Sequence, residues 1–292
     1  MTLVWRPGFQ QWDPSLISTA LWLDAADAST IPESGGAVSQ WNDKSPNSLV
    51  FSQSVAASRP STGINTLGGK NVLTLNAANS QCLIAGNDLN YVFTGNDWEI
   101  FYVCRAAVID GVSNTLISKN GDSTQSENQR QFLLSLRDLG GLETAQLYTS
   151  YGLDGASFTL VAASTTVSAN TYYIFSTAYN KSAAANGGSA NTALRVQHVI
   201  NGAAQSETVT ASAGTLGDIQ LSSARLSVGA YVGTTGTTYS SSFAGDIAEI
   251  VVTPSMLSPT DRQRIEGYLA HKWGLTANLP ADHPYKTAVP VP

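Results

Sequence analysis

The chain reads as an all-β protein, a sandwich or barrel, and three features of the sequence predict it. Apolar residues alternate with a period of two through the middle of the chain. Clusters of Gly, Asn, Ser and Pro interrupt these runs at short intervals, leaving about a dozen short strands. A helical period is confined to one segment near the C-terminus, so no alternation of strand and helix argues for a parallel sheet.

Composition agrees with this class. At 292 residues a sizeable core is expected. Charged residues make up 12% of the chain, about half the roughly 25% usual for soluble domains. Ser, Thr, Asn and Gly supply the polar surface instead, as suits exposed strand faces and turns. The net charge is -6 and no stretch gathers Lys and Arg, which argues against nucleic acid and anionic lipid as partners. No run approaches the roughly 20 apolar residues of a membrane span. Pro7, Gln10, Gln11 and Asp13 interrupt any apolar signal segment, so synthesis in the cytoplasm is expected. Cys82 and Cys104 sit in separate apolar strand contexts and read as buried reduced thiols.

Three parts are expected along the chain. Residues 1–19 form an irregular arm carrying Trp5, Arg6, Phe9 and Trp12 between prolines. These aromatics need a surface to cover them, either the sandwich itself or a neighbouring subunit, and we expect assembly contacts there. Residues 20–253 hold the strands. In "DWEIFYVCRA" one face carries Trp98, Ile100, Tyr102 and Cys104, the other Glu99, Phe101, Val103 and Arg105. Both faces are largely apolar, so this strand belongs at the centre of a sheet covered on both sides. Asn201-Gly202 is a strong hairpin signal, because a type I′ turn needs φ > 0 at both central residues.

Residues 254–292 hold a helix and a tail. Ser258 is the N-cap, Pro259 the first helical residue, and Asp261 completes an S-x-x-D box. Ile265, Tyr268, Leu269 and Trp273 make one apolar stripe, and Gly274 stops the helix. His271 falls off the stripe, near the helix C-terminus. Four prolines follow in "LPADHPYKTAVPVP", for which an extended tail through His283 is expected.

The blocks "TALWLDAADAST", "VSQWNDKSPN", "SRP" and "KNVLTLNAANSQCL", in that order, resemble the start of the laminin-G-like, concanavalin-A-like sandwich domains of bacteriophage structural proteins. The ending "FAGDIAEIVVTPSMLSPTDRQRIEGYLAHKWGLTANLPADHPYK" is similar to the closing strand, helix and tail of the same group. The resemblance brackets roughly residues 20–286. It implies a two-sheet antiparallel jelly roll closed by the helix. It also implies a non-enzymatic component of the virion surface, a capsid decoration protein first and a neck, tail or fibre component next. Expected partners are then the major capsid protein or other virion proteins, with the chain itself in several copies. A glycan-binding module for host attachment is the alternative from a different class.

Chemistry is searched for against that background. A glycan hydrolase needs two carboxylates about 5 to 9.5 Å apart across a cleft, which sandwich glycanases carry at alternate positions of one strand. Asp246 and Glu249 are spaced by three, which predicts opposite faces of a regular strand. No G-x-S-x-G elbow is present, and His198, His271 and His283 offer no metal-ligand spacing. Distant residues converging in space remain open. The resemblance implies that calcium, were it bound, would take scattered loop oxygens, and Asp24, Asp27, Asp43, Asp88, Asp97 and Asp154 lie near turns. Without a D-x-D-x-D run we expect turn and cap roles for these and no cofactor. For glycan stacking the candidates are Trp41, Tyr148, Tyr151, Tyr231 and Tyr239, set against the ordinary core role of strand aromatics.

Overall fold

The computed structural model describes residues 11–86, 88–94, 96–109, 113–120, 130–138, 144–153, 157–181, 183, 195–212, 219, 224–233, 236 and 239–292. Two antiparallel sheets dominate. The first has seven strands. Its order runs Leu21–Asp24, Gly245–Thr253, Trp98–Ala106, Tyr173–Tyr179, Val196–Ile200 and Ala203–Ala204, with Leu73–Leu75 also paired to Gly245–Thr253. The second has nine strands. They run Glu207–Ser212, Ser157–Ser168, Thr144–Leu153, Arg130–Asp138, Ser113–Asn120, Ser227–Val228, Leu83–Ile84, Val50–Ser52 and Gln40–Asn42. The chain is an all-β jelly-roll sandwich with one long C-terminal helix.

The central strand behaves as its alternation requires. Trp98, Ile100, Tyr102 and Cys104 enter the main core between the sheets, while Phe101 and Val103 enter a second core on the other side. Trp98 is the hub of an aromatic cluster, with ring centroids 5.5 Å from Phe93, 5.6 Å from Phe132 and 5.5 Å from Tyr179. Offset and edge contacts of this kind add to plain burial. The hairpin also forms as expected: Asn201 has φ +52° and Gly202 φ +78°, and Val199 faces Ala204 across the turn. Asn201 is further tied down, its Oδ1 accepting the Ile174 N–H at 2.9 Å.

The second core lies between the outer face of the seven-stranded sheet and the helix Pro259–Trp273. Ser258 Oγ accepts the Asp261 N–H at 3.1 Å and Gly274 closes the helix at φ +72°. Ile265, Leu269 and Trp273 are fully buried against the sheet. The tail departs from its expectation. Instead of running extended it folds through a 3-10 turn at Thr276–Asn278 and further turns in which His283 N–H bonds Pro280 O and Lys286 N–H bonds His283 O. The Lys286 ammonium caps the carbonyls of Thr276, Ala277 and Leu279. Proline only forbids more α-helix; these cationic and histidine anchors choose the compact path.

Candidate functional site

The carboxylates that looked separate in sequence share one face. Opposite Val103 and Cys104 the register slips, Val103 facing Glu249 and Cys104 facing Ile247, so Ala248 is a bulge residue. A bulge puts two consecutive side chains on one side of the sheet. Asp246, Ala248 and Glu249 therefore all face the helix-covered side, which corrects the expectation of opposite faces. Both acids are fully buried.

Their oxygens are taken by the protein. Glu249 Oε1 accepts from Trp22 Nε1 at 2.7 Å and Tyr268 Oη at 3.0 Å; its Oε2 accepts from Trp273 Nε1 at 2.6 Å and Lys272 Nζ at 2.8 Å. Burial pushes the Glu249 carboxyl above its ordinary range while Lys272 pulls it back. With these four donors on both oxygens, no acceptor is left for an added proton, so the arrangement holds the carboxylate. Lys272 also bonds Asp24 at 2.7 Å, and Asp24 meets Lys44 at 2.9 Å, which reaches Asp27 at 3.0 Å. Burial works against the Lys44 ammonium, yet its bonds to Asp24 and Asp27 hold its pKa above the usual value.

Two more clamps complete this face. Arg262 of the helix grips Glu99 at 2.6 Å, and Arg105 meets Asp246 at 2.6 Å, an acid that also accepts from Tyr172 Oη at 2.6 Å and Thr74 Oγ1 at 2.7 Å. These acids fasten the helix and its sheet. Glu99, Asp246 and Glu249 are each 0% exposed.

A second constellation has the connectivity of a nucleophile, a base and its orienting acid. His198 faces the main core, where its Nε2 lies 2.8 Å from Thr149 Oγ1 on the opposite sheet, and its Nδ1 lies 2.6 Å from Glu207 Oε2. Glu207 also accepts the His198 backbone N–H at 2.7 Å. The carboxylate fixes the proton on Nδ1, leaving Nε2 to accept the threonine hydroxyl. Yet Thr149 is 0% and His198 1% exposed, so no acyl group can approach the hydroxyl. The triad bolts the two sheets together near their edge. Nothing in the spacing of Thr149, His198 and Glu207 announced it.

The residues singled out from sequence fall into different places. Trp12 is 2% exposed and packs edge-on to Tyr268 at 6.1 Å, its N–H bonding Pro290 O, so it folds back on the domain and offers no free anchor. Trp5, Arg6 and Phe9 lie outside the described residues. Trp41 is fully buried in the main core and presents no face to a sugar. Tyr148 is 4% exposed beneath Arg137, and the Tyr151 side chain lies outside the described residues. Tyr231 and Tyr239 are half-buried on a two-stranded ribbon where Val232 faces Tyr239 and Tyr231 faces Ser240, so the two rings point to opposite sides. Asp43 organises a turn, accepting from Trp22 N, Ser45 N and Leu49 N, and Asp97 accepts from Lys181 N. Asp154 lies outside the described residues, among which no group of three metal-ligating side chains is found.

The other notable surface is the face of the nine-stranded sheet turned away from the core. Phe132, Leu134 and Leu136 point inward, so Leu133, Ser135 and Arg137 point outward. Register then lays out a row across the strands, Thr115 beside Ser135, Ser135 beside Tyr148, Tyr148 beside Ala162, and Ala162 beside Thr208. A neighbouring row places Arg137 beside Gln146 and Gln146 beside Thr166. The centre is closed to solvent, with Thr115, Ser135, Tyr148 and Ala162 all buried, while Arg137, Thr166 and Thr208 at its margin are exposed and Gln146 is half-buried. The Thr115 hydroxyl has no partner among the described residues. The Arg137 guanidinium lies 5.5 Å from the Tyr148 ring centroid. This face was missed because its members come from five strands and share no local motif.

The architecture so described defines a class, the jelly-roll β-sandwich. Among solved structures the chain is similar to the binding domain of botulinum neurotoxin serotype C1, with a TM-score of 0.53 and 12% identity over 86% of this chain and 52% of that one. It is similar also to the binding domain of botulinum neurotoxin DC in complex with SialylT, with a TM-score of 0.50 and 11% identity over 86% of this chain and 52% of that one. The chain thus spans about half the length of these chains. No family model matches the chain, and no curated protein matches it. At such identity the likeness is one of fold.

Proposed function

We propose that the chain is a non-catalytic adhesion module that binds glycans on the outer face of the nine-stranded sheet. The observation that carries this reading is the accessible row of Arg137, Gln146 and Thr166, a guanidinium, an amide and a hydroxyl side by side on three neighbouring strands. Hydroxyl and amide groups on neighbouring strands suit the hydroxyls of a saccharide, and rigid strands hold them in place without an ordering cost on binding. Recognition there rests on hydrogen bonds more than on ring stacking, since the Tyr148 ring is covered by Arg137. The non-catalytic part is supported by the engagement of Asp246, Glu249, Glu99 and the His198 triad in holding the sandwich together. The test is saturable binding of the isolated chain to a glycan array, lost in Gln146→Ala with Thr166→Val.

A second reading, attachment to a virion surface, draws support from the chain's polarity. Trp12 and Pro290 meet on the helix side, so the first described residues lie on the side opposite the proposed ligand face. A module anchored there by its arm, to a capsid, neck or fibre protein, would turn the glycan face outward. Deleting residues 1–10 and counting copies on purified particles tests this; normal incorporation would remove the arm from the attachment.

A further inference from the structure

Arg137 stands apart from the other arginines whose contacts are described. Arg59 donates to Gln53 O, Arg105 to Asp246, Arg195 to Tyr179 Oη, Arg262 to Glu99 and Arg264 to Asp261. Arg137 is exposed, and among the described residues its contact is the ring of Tyr148, with no hydrogen bond and no ion pair. A guanidinium on an aromatic face is held in plane by the ring while its N–H edge stays free. The ring beneath it is itself fixed, because Tyr148 is 4% exposed on a central strand. Gln146 lies directly across from Arg137 on the next strand, and the exposed Thr166 lies directly across from Gln146 on the one after.

We infer that this is an anion-recognising subsite and that the glycan it takes is acidic, a sugar whose carboxylate is received by Arg137 in a two-pronged hydrogen bond. The inference rests on the adhesion reading and narrows it. A carboxylate matches the planar fork of a guanidinium in geometry as well as charge, and such charge-assisted pairs are roughly twice as strong as neutral ones. Gln146 then has its amide beside the same group, and the exposed Thr166 has its hydroxyl for the ring substituents. In a chain of net charge -6 an unpaired exposed cation set among Gln, Ser and Thr marks a local reversal of sign.

The experiment uses the full chain and three matched sets of oligosaccharides: carboxylated ones carrying sialic or uronic acid, sulfated ones, and the neutral core of each. The expected result is binding of a carboxylated sugar at least about tenfold tighter than its neutral core, weakened by rising salt. Arg137→Ala should lose that preference, and Arg137→Lys, which keeps the charge but not the fork, should recover only part of it. Both variants should melt close to the wild-type temperature, since the side chain is exposed and its contact is one ring face. Equal binding of acidic and neutral sugars, or unchanged preference in Arg137→Ala, would overturn the inference while leaving the adhesion reading intact. A preference for sulfated sugars would overturn the carboxylate assignment. Binding to none of the three sets would remove the adhesion reading itself.

Discussion

His271 and His283 grip the same residue. His271 Nε2 donates to the carbonyl of Tyr285 at 2.8 Å, and the N–H of Tyr285 donates to His283 Nδ1 at 3.2 Å. Since Nδ1 of His283 is an acceptor, its proton sits on Nε2, which points at Glu266 Oε2 3.1 Å away on the helix. One histidine on the helix and one in the tail thus fix both backbone groups of a single residue and fold the tail onto the helix.

The two histidines should differ when removed. His283 and Glu266 are both buried, so His283→Ala strands a carboxylate and should cost on the order of 3 kcal/mol. His271 is only half-buried, and His271→Ala should cost about 1 kcal/mol. Denaturant melts check this. In the double variant His283→Ala with Glu266→Ala the loss should be smaller than the sum of the two single losses; strict additivity would mean that the pair is not coupled.

The Lys272–Glu249 clamp makes a sharper demand. Lys272→Met leaves a fully buried carboxylate facing two indoles and a phenol, and should destabilise the chain by about 3–5 kcal/mol. Adding Glu249→Gln should recover part of that loss, because the amide carries no charge and its oxygen can still accept from Trp22 and Tyr268, though not also from Trp273. If the single change melted like wild type, the helix would be held by its apolar stripe alone.

Lys119 gives a pH signature. It is fully buried, its ammonium donating to Ala224 O at 2.8 Å, and burial draws it down to about 8 from 10.5. Between those values the unfolded chain keeps a proton that the folded chain has released, so stability rises with pH across the window. The difference in unfolding free energy between wild type and Lys119→Met should therefore shift in favour of wild type between pH 8 and 10.5. A flat difference would mean that Lys119 titrates normally.

The legible parts of the fold were those set by neighbours in sequence. Asn201-Gly202 needs only its own two residues to demand a type I′ turn, and Ser258, Pro259 and Gly274 mark the helix ends through local hydrogen bonds. The alternation from Trp98 to Cys104 likewise carried the doubly covered strand. The bulge at Ala248 was hidden because it depends on the register with Val103 and Cys104, far away in the chain. Trp41 could not be told from a surface aromatic, since its burial comes from packing between sheets. The same reason hid Arg137 and Thr166: they come into one row only once the strands between residues 130 and 168 stack side by side.

The central claim is that the outer face of the nine-stranded sheet binds glycans. Titrating the isolated chain and its Thr166→Val, Gln146→Ala variant against array-selected oligosaccharides tests it most directly. The expected result is saturable binding by the wild type, at least tenfold weaker in a variant that melts normally. Binding of equal strength in both would place the ligand elsewhere, and no binding by the wild type would contradict the account.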